Sequence, residues 1–592
     1  MNNEDKKLYR TIDQLLTILE NNYKYDFGKK IPINDVFSMI KDLSVLINNY
    51  EKNVKECGNI CIKRFIPLLD LLIKIDYDEK HIIEYDKMLK IAYKYGARIS
   101  LEHYMVYREW NEPEKEKFFE PRYRILVGYI HYLQELECNP NFHTLIFNAP
   151  SGYGKTYPKK ISEAWCFGID NKGAFLSLCS NDDVVKSGSR TVIDEIKSEA
   201  FGEVFPEMKY DENDKSYFLK ETDEKWKLKT CKLPFSYYAK TTQANVVGSR
   251  ASKSIHIDDL YPDYKEAMNK ALNDYYYNKS ITVWEKRFIQ NEIPNVCITG
   301  TLWASDDYID LKIHQLEKEH TFKPHPKYPY TRVSEDGSCA IIQVPALDYV
   351  TGESTCPELR PTEVLLKEKQ NMDTYLWETN FQQLPTNPET LIFSYDKLKT
   401  YETIPYSEYT GTYSVIDATR KRGKDFFAMP IFKKVISDNA SYYYLIDCIF
   451  TREATKDMYE AVVEKIIDNH ITTLVIESNV TSELKQNVEE LLKQQNANFC
   501  EIIEKYNTVP KQVRITNEKG IIKKQLVFPQ KGMYGINTDM GRFMDNLTTY
   551  NETGSNANDD ASDSCAMMSS EIIEENSKPQ KAEPLDFVRR YM

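Results

Sequence analysis

The chain has 592 residues, 41% of them hydrophobic and 28% charged, with a formal net charge of −13. That length exceeds what one core supports, since domains run to about 100–200 residues, and the composition excludes a disordered or fibrous chain. The acidic balance excludes a general nucleic-acid coat, although local basic patches still permit DNA binding.

Two such patches are present, Arg420-Lys421-Arg422-Gly423-Lys424 and Lys523-Lys524, each read equally well as solvated surface charge. No apolar run approaches the roughly 20 residues of a membrane helix, and the N-terminus Met1-Asn2-Asn3-Glu4-Asp5 lacks signal-peptide character. The cysteines are scattered, and the close pair Cys57/Cys61 has no His or further Cys beside it to suggest zinc. Reduced, structural thiols, no membrane partner and a cytoplasmic location are expected.

In chain order, residues 1–95 predict helices, with apolar side chains at helical spacing in Leu15-Leu16-Ile18-Leu19 and Phe37-Ile40-Leu43-Leu46-Ile47. Residues 96–335 alternate short apolar strands with helical stretches, the rhythm of a parallel sheet, with strands expected at 145–148, 174–178, 254–258 and 296–299. A proline-marked connecting stretch, 336–404, follows. Residues 405–592 predict strands at 413–417, 426–432 and 442–450, a helix at 456–468, and a strand at 473–477. A helix at 482–495 and a strand at 499–504 come next. Three strands, helix, strand, helix, strand is the element order of an RNase H-like fold. The stretch 551–558 reads as a polar loop.

The strand at 145–148 runs into Ala149-Pro150-Ser151-Gly152-Tyr153-Gly154-Lys155-Thr156. A glycine turn opening a helix presents backbone N–H groups to phosphates. In such a P-loop Lys155 contacts the β/γ-phosphates of ATP and Thr156 ligates Mg²⁺, with Gly152 and Gly154 shaping the turn. Ala149 stands where the consensus has Gly. Ser254-Ile255-His256-Ile257-Asp258-Asp259 ends a strand in two carboxylates. In ATPases the first, here Asp258, holds Mg²⁺ through water, and the second, here Asp259 in place of the commoner Glu, orients the attacking water. Arg250, in Gly248-Ser249-Arg250, is a candidate arginine finger, with Arg190 as competitor. Thr299 and Thr301, in Ile298-Thr299-Gly300-Thr301, are placed to sense the γ-phosphate. Each piece alone is also read as a chance turn, a pair of solvated acids or a surface salt bridge.

The second group is Asp417, Glu477 and Asp559-Asp560-Ala561-Ser562-Asp563. Asp417 and Glu477 end strands that are neighbours in an RNase H-like sheet, and Asp560 and Asp563 share a helix face at i, i+3. Two-metal phosphodiester hydrolysis needs such converging carboxylates. Oxygen-only ligands favour Mg²⁺ or Mn²⁺. Asp425 is a further candidate ligand or a plain turn residue.

With both groups laid out, the chain resembles the large subunit of tailed-phage terminases, the DNA-packaging motors, from about residue 100 to 575. The resemblance rests on the Gly-Lys-Thr loop, Ser189-Arg190 with Phe201-Gly202-Glu203-Val204-Phe205-Pro206, Gly248-Ser249-Arg250, and Ile257-Asp258-Asp259. It continues through Gly300-Thr301-Leu302-Trp303 with Asp307, Gln382-Gln383-Leu384-Pro385, the acid-bearing strands, Lys511 to Arg514-Ile515, and Asp559–Asp563. Ser562 departs from a frequent Pro between the last acids. The resemblance implies a RecA-like (ASCE) P-loop ATPase domain and an RNase H-like nuclease domain behind a helical extension. It implies ATP-driven translocation of double-stranded DNA into a procapsid and cutting of concatemers. The implied partners are the small terminase subunit and the portal, in a homo-oligomeric ring at the portal vertex in the host cytoplasm. A helicase-type ATPase explains only the loop, an RNase H-fold transposase or resolvase only the acids, and a non-catalytic interaction protein only the departures.

Overall fold

The first ninety-odd residues form helices because their apolar side chains return every three or four positions. Helices Asn3–Tyr23 and Ile33–Asn49 bury Ile12, Leu16 and Leu19 in one core with Val36, Ile40 and Leu43. Helix Glu79–Ala97 starts at Asp78, whose carboxylate caps the amides of Lys80 and His81. The indole N–H of Trp165 donates to Ala97 O at 2.7 Å, tying this segment to the sheet that follows.

The structure, a computed structural model, describes every residue except 1–2, 24–30, 77, 215, 290–292, 386–390, 405–408, 418–424, 438–439, 478–481, 507–508, 536, 553–555, 557 and 578–592. The basic run at 420–424 and part of the loop at 551–558 therefore lie outside the described residues. The chain forms two compact units, 1–365 with 379–385, and 366–378 with 386–592. Both are mixed α/β. Among the described residues no helix is long and apolar enough to cross a membrane.

The first unit holds β1 (Thr144–Asn148), β2 (Phe175–Cys179), β3 (Phe218–Glu221), β4 (Lys225–Leu228), β5 (Tyr237–Thr241), β6 (Ile255–Asp258), β7 (Val296–Gly300), β8 (Phe322–Pro324), β9 (Thr331–Ser334) and β10 (Cys339–Gln343). They form one sheet in the order β3-β4-β5-β2-β6-β7-β1-β10-β9-β8. The six strands from β5 to β10 in that order run parallel, and antiparallel pairs close both edges. Strands β2 and β7 are buried along their whole length, as parallel strands covered on both faces must be, so they read as continuous apolar runs. Helix α1 (Thr156–Ile169) leaves β1 and leads to β2, three strands away. Residues 336–365, within the stretch read as connecting, belong to this unit because β10 pairs in parallel with β1.

The second unit holds β11 (Lys399–Tyr401), β12 (Tyr409–Ile416), β13 (Phe427–Ser437), β14 (Ala440–Thr451), α2 (Tyr459–Asp468), β15 (Thr473–Glu477), α3 (Ser482–Gln494), β16 (Glu501–Lys505), α4 (Lys511–Gln525), β17 (Leu526–Pro529), α5 (Asp539–Thr548) and α6 (Asp560–Ser577). Its sheet order is β11-β17-β14-β13-β12-β15-β16. Strands β12, β13 and β14 are antiparallel neighbours, and β15 and β16 continue parallel to β12.

The two faces of this sheet follow the alternation of strand side chains. Ile416, Leu474 and Ile476 pack with Val462, Val463 and Leu484 from α2 and α3. Val415 and Val475 face the other way, into a core shared with Ile515 of α4, Phe543 of α5 and Ala561, Cys565 and Ala566 of α6. By the same period Asp417 and Glu477 point to the α4–α6 face.

Candidate functional sites

The first site lies at the C-terminal edge of the parallel sheet, where ligands of open α/β sheets bind. The loop after β1 turns at Gly152 and Gly154, with φ of 83° and 92°. Glycine is the residue that adopts such angles without strain. At Gly154 a Cβ would also fall 2.5 Å from Phe118 Cζ. Thr156 opens α1, half-buried. Pro158 follows in its first turn, where a missing N–H is no loss.

Lys155 is 6% exposed. Its Nζ donates to Ala149 O (3.0 Å), Pro150 O (3.2 Å) and Thr301 Oγ1 (2.8 Å). Burial draws its pKa below the usual lysine value, against the pull of Asp259 and Asp258. The structure thus brings Lys155 and Thr301 together, because β1 and β7 are neighbours with Asn148 opposite Gly300.

Asp258 and Thr299 are paired across β6 and β7. The Thr299 hydroxyl donates to Asp258 Oδ1 at 2.5 Å. Lys159 of α1 places Nζ 2.9 Å from Asp258 Oδ2 and donates to Thr299 Oγ1 at 2.8 Å. Both members of the Lys159–Asp258 pair have side chains 0% exposed. Burial alone would raise the Asp258 carboxyl, but Lys159, Lys160 and the Thr299 hydroxyl outweigh it and hold it down at about 2. Behind this pair Lys160 donates to Glu163 (3.0 Å), Ser177 and Tyr237, and Glu163 in turn meets His256 Nδ1.

Asp259 differs from its neighbour. Its φ is 38°, in the left-handed region that Asp tolerates better than most side chains. Its amide donates to Thr299 O at 3.0 Å. Burial and the adjacent Asp258 push its carboxyl above the ordinary range, against Lys155, Lys159 and a hydrogen bond from the Thr301 amide. Further along, Asp307 caps helix Tyr308–Glu319 through the amides of Ile309 and Asp310.

Neither candidate arginine joins this cluster. Arg250 is exposed and precedes β6, beside Ala251, which bridges to Phe288. Asp258 closes the same four-residue strand, so the strand's length, about 13 Å at 3.3 Å per residue, separates the two ends. Arg190 pairs with Asp223 at 2.6 Å on the surface.

The second site lies at the ends of β12 and β15. Ile416 and Ile476 are in register, which sets Asp417 beside Glu477. Asp417 is kept in line by reciprocal amide bonds with Ala428, both 3.0 Å. Oxygen atoms of Asp417, Glu477 and Asp563 all lie within 4.8 Å of one another. Asp560 turns aside, accepting the Phe426 amide at 3.0 Å. Asp425 is exposed.

Two cations from α4 face these acids. Lys511 Nζ lies 2.8 Å from Asp417, 3.1 Å from Asp560, 3.5 Å from Asp563 and 3.8 Å from Asp559. Arg514 grips Asp563 with two bonds of 2.6 Å and donates to Glu477 at 3.2 Å. Burial raises the Asp417 pKa to about 7, Lys511 opposing and Asp563 and Asp560 reinforcing. Five carboxylates here face two cations. An all-oxygen cluster with excess negative charge fits a hard divalent cation.

Lys159, Lys511 and Arg514 had no assigned role in the sequence. Their signal was spacing. Lys159 stands at i+4 from Lys155, on the face α1 turns to the strand tips. Lys511 and Arg514 stand at i, i+3, matching Asp560 and Asp563 at i, i+3 on the helix packed against them.

No protein-family profile matches the sequence, and no curated relative matches it. Among solved structures, the chain is similar to the large terminase of a thermophilic bacteriophage in complex with ATP-γ-S. The identity there is 9% over 76% of this chain and 98% of that one, with a TM-score of 0.26. The Phi-28 gp11 DNA packaging motor matches at 13% identity over 62% of this chain and 92% of that one, also with a TM-score of 0.26. Scores this low establish no shared architecture.

Proposed function

We propose that the chain is a DNA-packaging motor of the terminase large-subunit kind, hydrolysing ATP in its first unit and cutting DNA in its second. One observation carries this reading: each unit gathers its own set of chemically matched residues at the C-terminal end of its sheet strands. Lys155, Thr301, Asp258 and Asp259 meet in the first, and Asp417, Glu477 and Asp563 in the second. The strand orders support the same assignment. One strand separates β1 from β6, as in RecA-like ATPases, and the order β14-β13-β12-β15-β16 agrees with that expected of an RNase H-like sheet.

In the first unit the loop amides and the α1 N-terminus receive the phosphates of ATP. Lys155, held ready on carbonyl oxygens and Thr301, transfers its Nζ to the terminal phosphates. Asp259 would orient the attacking water, and Thr156 would face the Mg²⁺ of a bound nucleotide. In the second unit Asp417, Glu477 and Asp563 would hold Mg²⁺ or Mn²⁺, with Asp560 beside them. Bound there, divalent ions supply the activated water and stabilise the leaving oxygen of a phosphodiester. Lys511, whose side chain is 39% exposed, faces the same acids and would have to move for an ion to reach them.

Double-stranded DNA, a small terminase subunit, a portal and a procapsid are the partners of this reading, with the motor in a ring. Arg250, remote from Lys155 in its own subunit, then serves a neighbour's nucleotide. The test is ATP hydrolysis and Mn²⁺-dependent plasmid nicking by the full chain, followed by mixing Arg250→Ala with Lys155→Ala subunits. Both activities and recovered hydrolysis in the mixed assembly are expected. Absence of hydrolysis in the wild type would overturn the ATPase reading, and absence of nicking the nuclease reading.

A further inference from the structure

We propose that a cleft in the second unit, walled by Trp377, Tyr395 and Tyr534 and bearing Lys369, Lys531 and Asp545, binds a nucleoside 5′-monophosphate group, with its base against the rings and its phosphate on Lys531. That group is carried by a free nucleotide or by the phosphorylated 5′ end of a DNA strand. None of the lining residues belongs to the Asp417 cluster or to the loop after β1. The cleft is thus a third site, beyond the function proposed above.

The cleft encloses about 210 Å³, less than the roughly 300–1,000 Å³ of sites for drug-sized ligands. Such a space takes one flat ring system and one small ionic group, not an extended cofactor. Its walls come from separate parts of the chain. Lys369 lies in the last turn of helix Thr362–Asn371, and Tyr395 opens the turn Tyr395–Lys397. Lys531 and Tyr534 follow β17, and Asp545 stands on α5. Trp377 is fully buried and forms the floor. Tyr395 and Tyr534 are half-buried, and their hydroxyls hydrogen-bond to each other. Aromatic faces of this kind suit nucleobases, because every base has a π-face to stack on them.

The two lysines differ in what they already hold. Lys369 Nζ lies 2.7 Å from Asp545 Oδ1, which leaves Asp545 Oδ2 to accept from a base amino group. Lys531 is exposed at the mouth, and its Nζ lies 5.0 Å from the Tyr395 ring centre. Among the described residues the acceptor it reaches is Met372 O, at 3.4 Å. An ammonium carries three donors, so Lys531 keeps capacity for a phosphate. Desolvation by the cleft walls draws its pKa below the usual lysine value, with Lys369 adding to this against Asp373 and Asp545. An anion beside it relieves that cost. Burial pushes Glu378 up to about 7, against Lys369 and with Asp545, so near neutral pH it offsets little of the positive charge. The approach is open. Gly532, next to Lys531, has a φ of 99°, and a Cβ there would meet no heavy atom within 4 Å.

The test is calorimetric titration of the full chain in EDTA, in a Lys155→Ala background that weakens the hold of the loop after β1 on phosphates. The probes are the four deoxynucleoside 5′-monophosphates, the matching deoxynucleosides, and one tetranucleotide with a 5′-phosphate or a 5′-hydroxyl. At least one monophosphate is expected to bind about tenfold or more tighter than its nucleoside. Adding Lys531→Ala should weaken that binding by about tenfold at an unchanged melting temperature, and Lys531→Arg should retain it. Tyr395→Ala should weaken it by roughly fivefold to a hundredfold. Equal binding of the 5′-phosphorylated tetranucleotide assigns the cleft to DNA ends, and binding of the mononucleotide alone assigns it to free nucleotide. The inference is overturned if no monophosphate binds more tightly than about 1 mM, or if Lys531→Ala and Tyr395→Ala both leave the affinity unchanged. The titration requires neither ATP hydrolysis nor nicking, so failure of either of those readings is told apart from failure of this one.

Discussion

Asp258 and Asp417 are both buried aspartates at the end of a sheet strand, facing lysines at 2.9 and 2.8 Å. Their acidities are driven in opposite directions, to about 2 for Asp258 and about 7 for Asp417. The contrast comes from what surrounds each pair. Lys159 is sealed and serves one acid, with Lys160 adding to the positive field and Thr299 donating a hydrogen bond. Lys511 is 39% exposed and is shared among four carboxylates, so its charge is diluted by solvent and by division. A lysine at contact distance does not by itself fix an acid's charge. The first site is balanced in charge, whereas the second is short of positive charge.

Arg514→Ala should break this contrast most severely. It removes the two-bond partner of fully buried Asp563 and leaves Lys511 at 3.5 Å from one oxygen, and removing one side of such a pair costs about 3–5 kcal/mol. Thermal unfolding in EDTA reads the loss, and Mn²⁺ should recover part of it by binding only the folded form. No drop in melting temperature would show that the acids are not held by Arg514.

The next effect is in pH. Asp417 has a folded pKa above its unfolded value of 3.8, so its ionisation opposes folding. That opposition is absent below about pH 4, grows as pH rises towards about 7, and is complete above it. At 1.36 kcal/mol per pK unit it amounts to about 4 kcal/mol. In EDTA, Asp417→Asn should therefore stabilise the second unit at pH 8 and leave it nearly unchanged at pH 4.5. A stabilisation equal at both pH values contradicts the assignment. Asp258 has the opposite sign. Its contribution is present above about pH 4 and lost only on acidification towards pH 2, outside this window.

Lys511→Ala should give the smallest change, about 1 kcal/mol, because a half-exposed ammonium is screened by water. It should also tighten Mn²⁺ binding at the acids, measured by calorimetry. Weaker Mn²⁺ binding in this variant would indicate that Lys511 assists the metal instead of standing in its place.

Much of the scaffold was legible because its signals are local. The strands at 145–148, 174–178, 254–258 and 296–299 fall within one residue of β1, β2, β6 and β7, as continuous apolar runs between turn residues. The short strands β3 and β4 were not legible, since each is only four residues long, even though Lys225-Trp226-Lys227-Leu228 does alternate. The acids Asp258, Asp259, Asp417 and Glu477 were visible as carboxylates at strand ends. Their counter-ions were not, because Lys159-Lys160 reads as a solvated pair until α1 is known to press that face onto the sheet. Which of Asp560 and Asp563 stands with Asp417 and Glu477 was equally hidden, as it depends on Arg514 and on the Phe426 amide. The position of Arg250 at the far end of β6 follows from strand direction alone, once the sheet is seen to be parallel.

Two substitutions, crossed, separate the two chemistries proposed for this chain. Lys155→Ala and Asp417→Ala are purified side by side with wild type and assayed for ATP hydrolysis and Mn²⁺-dependent plasmid nicking. The account predicts that Lys155→Ala loses hydrolysis by about a hundredfold or more and still nicks, and that Asp417→Ala loses nicking and still hydrolyses ATP. Loss of both activities in either variant, or of neither in both, would contradict it.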